Sequence, residues 1–113
     1  MNPEDRRRHP RVRLDAPARL KVGERLIDAR VRDICHDAVL VEANHWFPLG
    51  TDLQVRVDLP APHAPVLAQG RVLRLAPGEE GSHGMAVLFT EISPGDLVRI
   101  DFLVEQPSGP SGD

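Results

Sequence analysis

Hydrophobic and polar residues alternate along most of the chain. The most regular example is residues 53–59, in which Leu, Val, Val and Leu alternate with Gln, Arg and Asp. Such alternation predicts strands with one buried face and one face in water. Six segments fit this interpretation: 17–22, 27–32, 39–43, 53–59, 66–75 and 85–89. Because no helical segment separates them, we expect an antiparallel sheet that closes into a small six-stranded β-barrel.

A helix is predicted after the last strand. Ser93 is followed by Pro94 and, three residues after the serine, by Asp96, an arrangement typical of a helix N-terminus. The hydrophobic residues that follow at helical spacing are Leu97, Ile100, Leu103 and Val104. We expect this stripe to lie against the barrel and the helix to end at Gln106-Pro107. The predicted fold class is therefore all-β with one C-terminal helix.

The charge is distributed unevenly. The 113 residues carry 14 basic and 17 acidic side chains, for a net charge of -3. Residues 1–13 hold five Arg against two acidic residues, a local charge of +3, so the remainder carries -6. We therefore divide the chain into a flexible basic arm (1–13), a barrel with its helix (14–106) and a disordered tail (107–113) that is rich in Pro, Ser and Gly.

The sequence predicts a cytoplasmic protein that does not contact a membrane. No apolar run approaches the roughly 20 residues that cross a bilayer, and no apolar stretch follows the charged N-terminal residues. Cys35 is the single cysteine, which agrees with a reducing compartment.

The basic arm is the first candidate binding element. Arg7 and Arg11 are four residues apart, and on an extended chain they can contact two parts of one ligand about 10 to 13 Å across. A guanidinium group matches phosphate oxygens and also the O6/N7 edge of guanine. A solvated basic terminus is an equally weighted alternative. A nucleic-acid polymer is not expected, since the arm lacks interleaved aromatic residues and adjoins an acidic body.

The second candidate element is the turn at residues 33–38. The Asp33 carboxylate can accept hydrogen bonds from the N–H groups of a guanine, and the Cys35 thiol is a weak donor. The alternative is an ordinary turn aspartate. Arm and turn together would bracket a guanine nucleotide.

Other chemistry is weakly indicated. Cys35 and His36 are adjacent and point to opposite sides of an extended chain, so they do not predict a metal site. The neighbouring Asp33 and Asp37 raise the thiol pKa and disfavour a cysteine nucleophile, so we do not expect an enzyme. Trp46-Phe47 is either part of the core, which is favoured, or an exposed anchor for a partner.

The order of these features resembles the PilZ domain, a family of receptors for cyclic di-GMP. The resemblance covers residues 5–106 and rests on an RRxxxR segment before the first strand, a turn similar to D/NxSxxG, and the segment from Gly84 to Phe89 that precedes the helix. It implies a PilZ-type six-stranded antiparallel barrel. The ligand-binding residues that it implies are Arg6, Arg7, Arg11, Asp33, Cys35, Ala38 and Gly84.

The resemblance implies a binding module with cyclic di-GMP as its ligand and no other cofactor. The arm would become ordered around the ligand and alter contacts with a protein partner in motility, biofilm formation or signalling. Two turn positions depart from the family pattern, because Cys35 stands in place of Ser and Ala38 in place of Gly. The alternative is therefore a degenerate PilZ domain that does not bind cyclic di-GMP and acts as an interaction adaptor in motility regulation.

Overall fold

The computed structural model describes residues 12–61, 63–78 and 81–105. Within these ranges it contains six strands and one helix. They are β1 (Val12–Val22), β2 (Arg25–Ile34), β3 (Ala38–Ala43), β4 (Asp52–Val57), β5 (Val66–Pro77), β6 (His83–Ile92) and α1 (Pro94–Glu105). All neighbouring strands are antiparallel, in the order β1-β2-β3-β6-β5-β4, and pairing of β1 with β4 closes the barrel. The predicted fold class is confirmed.

Several strands are longer than the hydrophobic alternation alone indicates. Strand β1 begins at Val12, two residues before the predicted start of the barrel, and β5 continues to Pro77. Ladder hydrogen bonds join backbone groups and do not require a hydrophobic side chain, so pairing extends beyond the buried segment. Residues 1–11 of the predicted arm (1–13) and the predicted tail (107–113) lie outside the described residues. Val12 and Arg13, which the sequence analysis assigned to the flexible arm, belong to β1.

The barrel interior is filled by the inward residues of every strand. The largest side chains that are fully buried in the strands are Leu20, Ile34, Met85, Val31, Val39, Val41, Val55, Val57, Val66, Val72 and Val87. Gly70 marks a place where two strands approach closely, because a Cβ there would lie 2.5 Å from Val87 Cγ1 and 3.0 Å from the Leu88 carbonyl oxygen. The β5–β6 register also shifts beside this glycine.

Helix α1 begins where the sequence predicts, and Ile100, Leu103 and Val104 of the predicted stripe pack on the core. The Ser93 hydroxyl accepts a hydrogen bond from the Asp96 N–H at 3.1 Å, which is the expected N-cap. Asp96 Oδ2 accepts from the Leu67 N–H at 3.1 Å and so joins the helix to β5. Ile100 is fully buried against the barrel, whereas Phe102 is exposed on the opposite face. In the described part of the chain, this helix is not long and apolar enough to cross a membrane.

Candidate ligand-binding groove

Asp33 faces outward because strand β2 contains a bulge just before it. Strict alternation from the buried residues Ala29 and Val31 would turn Asp33 into the core. The β2–β3 register shifts between Val31 and Asp33, so Arg32 is an extra residue without a counterpart in β3. Asp33 is consequently half-buried and Ile34 is fully buried. A bulge re-aims a side chain, and this one places a carboxylate at the surface.

The turn that follows is closed by hydrogen bonds. The Cys35 N–H donates to the Ala38 carbonyl at 2.9 Å, and the Phe89 N–H of β6 donates to the Asp37 carbonyl at 2.9 Å. The Cys35 Sγ donates to Asp37 Oδ1 at 3.2 Å. These bonds tie the turn both to itself and to the neighbouring strand, so its backbone is held in a defined conformation.

The turn also contacts the C-terminal helix. His36 Nδ1 lies 2.6 Å from Asp101 Oδ1, and both side chains are partly exposed. Asp101 is adjacent to the buried Ile100, which anchors α1 on the barrel. This contact joins the turn directly to helix α1.

The N-terminal end of β1 lies beside the same turn. Val12 pairs with Ile34, and Arg13 pairs with Asp33. The predicted basic segment is joined directly to Val12, so the chain attaches it next to the turn. The fold thus brings the turn and the attachment point of the arm together, although they are separated by about twenty residues in sequence.

A groove of about 1020 Å³ opens beside this turn on the outer faces of β1, β2 and β3 and reaches the end of β4. Its described lining includes five arginines and four carboxylates: Arg13, Arg19, Arg30, Arg32 and Arg56 with Asp15, Asp28, Glu42 and Asp58. A volume of this size is at the upper end of the range for small-molecule sites. The balance of charges leaves the groove close to neutral, so strong attraction of an anion requires an additional source of positive charge.

Most of these arginines are already paired. The closest atom pairs are Arg19 Nε with Asp28 Oδ1 at 3.2 Å, Arg30 Nη2 with Asp15 Oδ1 at 2.7 Å, Arg32 Nη1 with Glu42 Oε2 at 2.7 Å, and Arg56 Nε with Asp58 Oδ1 at 2.9 Å. The Arg32–Glu42 pair is the most buried of the four, with side-chain exposures of 29% and 18%. Ser82 Oγ also donates to Glu42, at 3.3 Å. These pairs form a polar wall along the groove.

Cys35 is buried and chemically protected. Burial raises the pKa of its thiol above the ordinary value, and the hydrogen bond from the thiol to Asp37 together with the charge of that carboxylate raises it further. The sequence analysis also predicted a raised thiol pKa, but it attributed the shift to neighbouring carboxylates, whereas desolvation by burial is the largest cause. The thiolate is the reactive form, so the folded protein holds less of it near neutral pH than a free cysteine does.

We expect Cys35 to be alkylated slowly by iodoacetamide near neutral pH in the folded protein and rapidly in denaturant. The rate should rise with pH as the thiolate forms. Because the folded pKa is raised, this group stabilises the fold below the unfolded pKa, and its contribution is lost as pH rises through the folded pKa. Mass spectrometry of timed samples measures the rate. Equal rates in the folded and denatured protein would show that the thiol is not protected.

The predicted site residues fall into three groups by location. Asp33, Cys35 and Ala38 lie in and around the turn next to the groove, but they do not line it. Gly84 is buried in β6 opposite Glu42, and a Cβ there would lie 3.0 Å from the Ala76 carbonyl oxygen. The three predicted arginines, Arg6, Arg7 and Arg11, lie outside the described residues.

Sequence reasoning did not identify the polar wall of the groove. Arg30, Arg32 and Glu42 looked like ordinary outward residues of alternating strands. The β2–β3 register, which sets Arg30 opposite Glu42 and the extra residue Arg32 beside them, supplies the missing information. The pair Trp46-Phe47 is divided by the fold, since Phe47 is buried and Trp46 is 47% exposed. Among the described residues, no group of three or more side chains is arranged to hold a metal ion.

Comparison with known proteins identifies a family model and several similar structures. The model for the PilZ domain matches residues 5–106. No curated protein matches the chain. Among solved structures, the Bacillus subtilis inhibitor of motility (MotI/DgrA) has a TM-score of 0.76 and 20% identity, covering 88% of this chain and 49% of that one.

Two further structures are described as containing cyclic di-GMP. The PilZ domain of YcgR from Escherichia coli has a TM-score of 0.70 and 13% identity over 88% of each chain. PlzA from Borreliella burgdorferi has a TM-score of 0.59 and 9% identity, covering 88% of this chain and 52% of that one. The chain thus spans about half the length of MotI and of PlzA. At these identities, the similarity establishes a shared fold.

Proposed function

The chain belongs to the PilZ domain family, and from that premise we propose that it is a cyclic di-GMP receptor that acts as an adaptor rather than as an enzyme. The observation that carries this proposal is the position of the groove. It opens beside the turn that bears Asp33, and the basic arm is attached at Val12 next to the same turn. The similar structures of YcgR and PlzA are described as containing cyclic di-GMP, so cyclic di-GMP is the ligand to test.

The charge arrangement supports an anionic ligand that engages the arm. The arginines of the groove wall are largely paired with carboxylates, so they contribute little net attraction. The part of the arm that precedes Val12 carries four Arg against two acidic residues, an unbalanced charge of +2. We propose that Arg6, Arg7 and Arg11 contact the phosphates and bases of cyclic di-GMP while Asp33 accepts hydrogen bonds from a guanine.

The two unusual turn residues are compatible with this proposal. Ala38 is a strand residue paired with Leu88, so its backbone is extended, and a Cβ carries no conformational penalty there. The Cys35 thiol already donates to Asp37 and would contribute little to a ligand. Loss of one ligand hydrogen bond costs about 0.5 to 1.5 kcal/mol, which weakens binding up to roughly tenfold without abolishing it.

We propose that the signal leaves the site through the arm and helix α1. Ligand binding would order the arm, and the turn would transmit its displacement through the His36–Asp101 contact. The outer face of α1 exposes Val98 and Phe102, one helical turn apart. A changed arm and a shifted helix would present a new surface to a protein partner, and the description of MotI as an inhibitor of motility favours a partner in motility.

Isothermal titration calorimetry with cyclic di-GMP at physiological salt tests the proposal. We expect saturable binding at micromolar ligand or below, and a loss of at least tenfold in affinity for Arg11→Ala, because charge-assisted arginine contacts are the strongest in such a site. GTP should not compete at equal concentration. Absence of both heat and thermal stabilisation at millimolar cyclic di-GMP would overturn the proposal.

A degenerate adaptor is the second candidate function. The observation that favours it is Trp46, a large aromatic side chain that is 47% exposed although the adjacent Phe47 is buried. Exposed tryptophans are frequent anchors of protein interfaces. In a cellular motility assay, an adaptor of this kind would tolerate Arg7→Ala and fail with Trp46→Ala, whereas a ligand-dependent receptor would show the reverse.

A further inference from the structure

We propose that Arg13 reads the guanine base of the ligand together with Asp33, by donating hydrogen bonds to the O6/N7 edge. This inference rests on the proposed function and adds a specificity-determining residue that the family motifs do not include. Arg13 lies on β1, lines the groove and is exposed.

Arg13 differs from the other arginines of the groove because its guanidinium group forms no ion pair with the described residues. Each of the other four forms an ion pair with a nearby carboxylate. Within the part of the chain that the structure describes, neither Arg13 nor Asp33 has a side-chain hydrogen bond or an ion pair. A donor and an acceptor of opposite charge thus stand at the edge of the groove without partners of their own.

The strand register places these two side chains together. Arg13 and Asp33 are direct cross-strand partners, so both project from the same face of the sheet with Cβ atoms about 4.5 to 5.5 Å apart. The β1–β2 register shifts immediately after Arg13, and the β2–β3 register shifts immediately before Asp33. Irregularities in both ladders therefore flank the pair, as bulges do where they aim side chains toward a site.

The chemistry of the pair matches guanine and not adenine. Guanine offers N–H donors at N1 and N2, which a carboxylate accepts, and acceptors at O6 and N7, which a guanidinium fork contacts in bidentate fashion. These two edges are adjacent on the ring, so a base lying edge-on across β1 and β2 can meet both side chains. Adenine carries an amino donor where guanine has O6, which would oppose the guanidinium.

The experiment compares Arg13→Ala with Arg74→Ala, a matched variant that removes an exposed arginine of strand β5 outside the groove lining. Titrations of the full chain use cyclic di-GMP and cyclic di-AMP at fixed salt. We expect the wild type to bind cyclic di-AMP more weakly than cyclic di-GMP. Arg13→Ala should weaken cyclic di-GMP binding about tenfold or more and leave the affinity for cyclic di-AMP unchanged. Arg74→Ala should change cyclic di-GMP affinity less than about threefold. Arg13→Lys should recover only part of the loss, since an ammonium group is not a bidentate fork.

The outcomes separate this inference from the proposed function. If the wild type binds cyclic di-GMP and Arg13→Ala binds equally well, the inference is overturned and the receptor function stands. Equal losses for both ligands in Arg13→Ala, with rescue by Lys, would place the side chain on a phosphate and would also overturn it. If the wild type binds neither ligand, the receptor function and the inference fail together. Circular dichroism of each variant checks that the barrel is folded.

Discussion

Replacing Asp33 with Ala is expected to lower the affinity for cyclic di-GMP about 100-fold while leaving the stability of the barrel unchanged. The carboxylate is half-buried at the edge of the groove and forms no ion pair with the described residues. A charged acceptor of two guanine N–H groups contributes about 1.5 to 3 kcal/mol per hydrogen bond, so its loss costs roughly 3 kcal/mol of binding free energy. Calorimetric titration measures the affinity, and urea denaturation measures the stability.

Two control variants sharpen this test. Asp33→Asn keeps one acceptor oxygen, and the family pattern accepts either residue at this position, so most of the affinity should remain. Asp28→Ala removes a groove carboxylate that is paired with Arg19 and should have little effect. A loss of affinity in Asp28→Ala as large as that in Asp33→Ala would show that the groove responds to its total charge. The affinity for cyclic di-GMP would then not depend on one carboxylate that accepts hydrogen bonds from guanine.

The architecture was predictable because both of its elements have simple periodicities. Alternation of buried and exposed residues identified all six strands, and Ser93 with Pro94 and Asp96 identified the start of the helix. The barrel followed from the number of strands without crossover helices. The ends of strands were less predictable, because residues such as Val12 and Pro77 join the ladder through backbone hydrogen bonds that need no hydrophobic side chain.

The candidate site was only partly predictable. Local motifs indicated Asp33 and the turn, and the family resemblance indicated the arm. The polar wall of the groove depends on which outward residues of different strands become neighbours, and that depends on register. The position of Arg13 opposite Asp33 follows from bulges in two ladders, and the sequence carries no distinct mark of either bulge. The positions of these side chains therefore follow from strand pairing between distant segments, which hydrophobic periodicity does not reveal.

Ile34 is the residue that ties this register to the stability of the barrel. Its side chain is fully buried, and its backbone pairs with Val12 on one side and Val39 on the other. Since the bulge at Arg32 shifts the alternation by one residue, burial of Ile34 keeps Asp33 at the surface. The same side chain therefore anchors the end of β1, where the arm begins, and the start of the turn.

Replacing Ile34 with Ala is expected to cost about 2 to 5 kcal/mol of unfolding free energy. The change removes buried methyl and methylene groups and leaves a cavity that a closed barrel can collapse only in part. Urea denaturation should show a lower midpoint with an unchanged slope. At a temperature where the variant remains folded, cyclic di-GMP affinity should also fall, because the arm attachment and the turn lose their common anchor.

The matched control lies on the same strand. Leu26 is 59% exposed, so Leu26→Ala should change the unfolding free energy by less than about 0.5 kcal/mol and leave ligand affinity intact. If Ile34→Ala were as stable as the wild type, the inward orientation of Ile34 would be wrong. The bulge could then not be what turns Asp33 outward. If the variant were destabilised but bound cyclic di-GMP with wild-type affinity, the turn and the arm would not depend on this anchor, and the ligand would have to engage them independently.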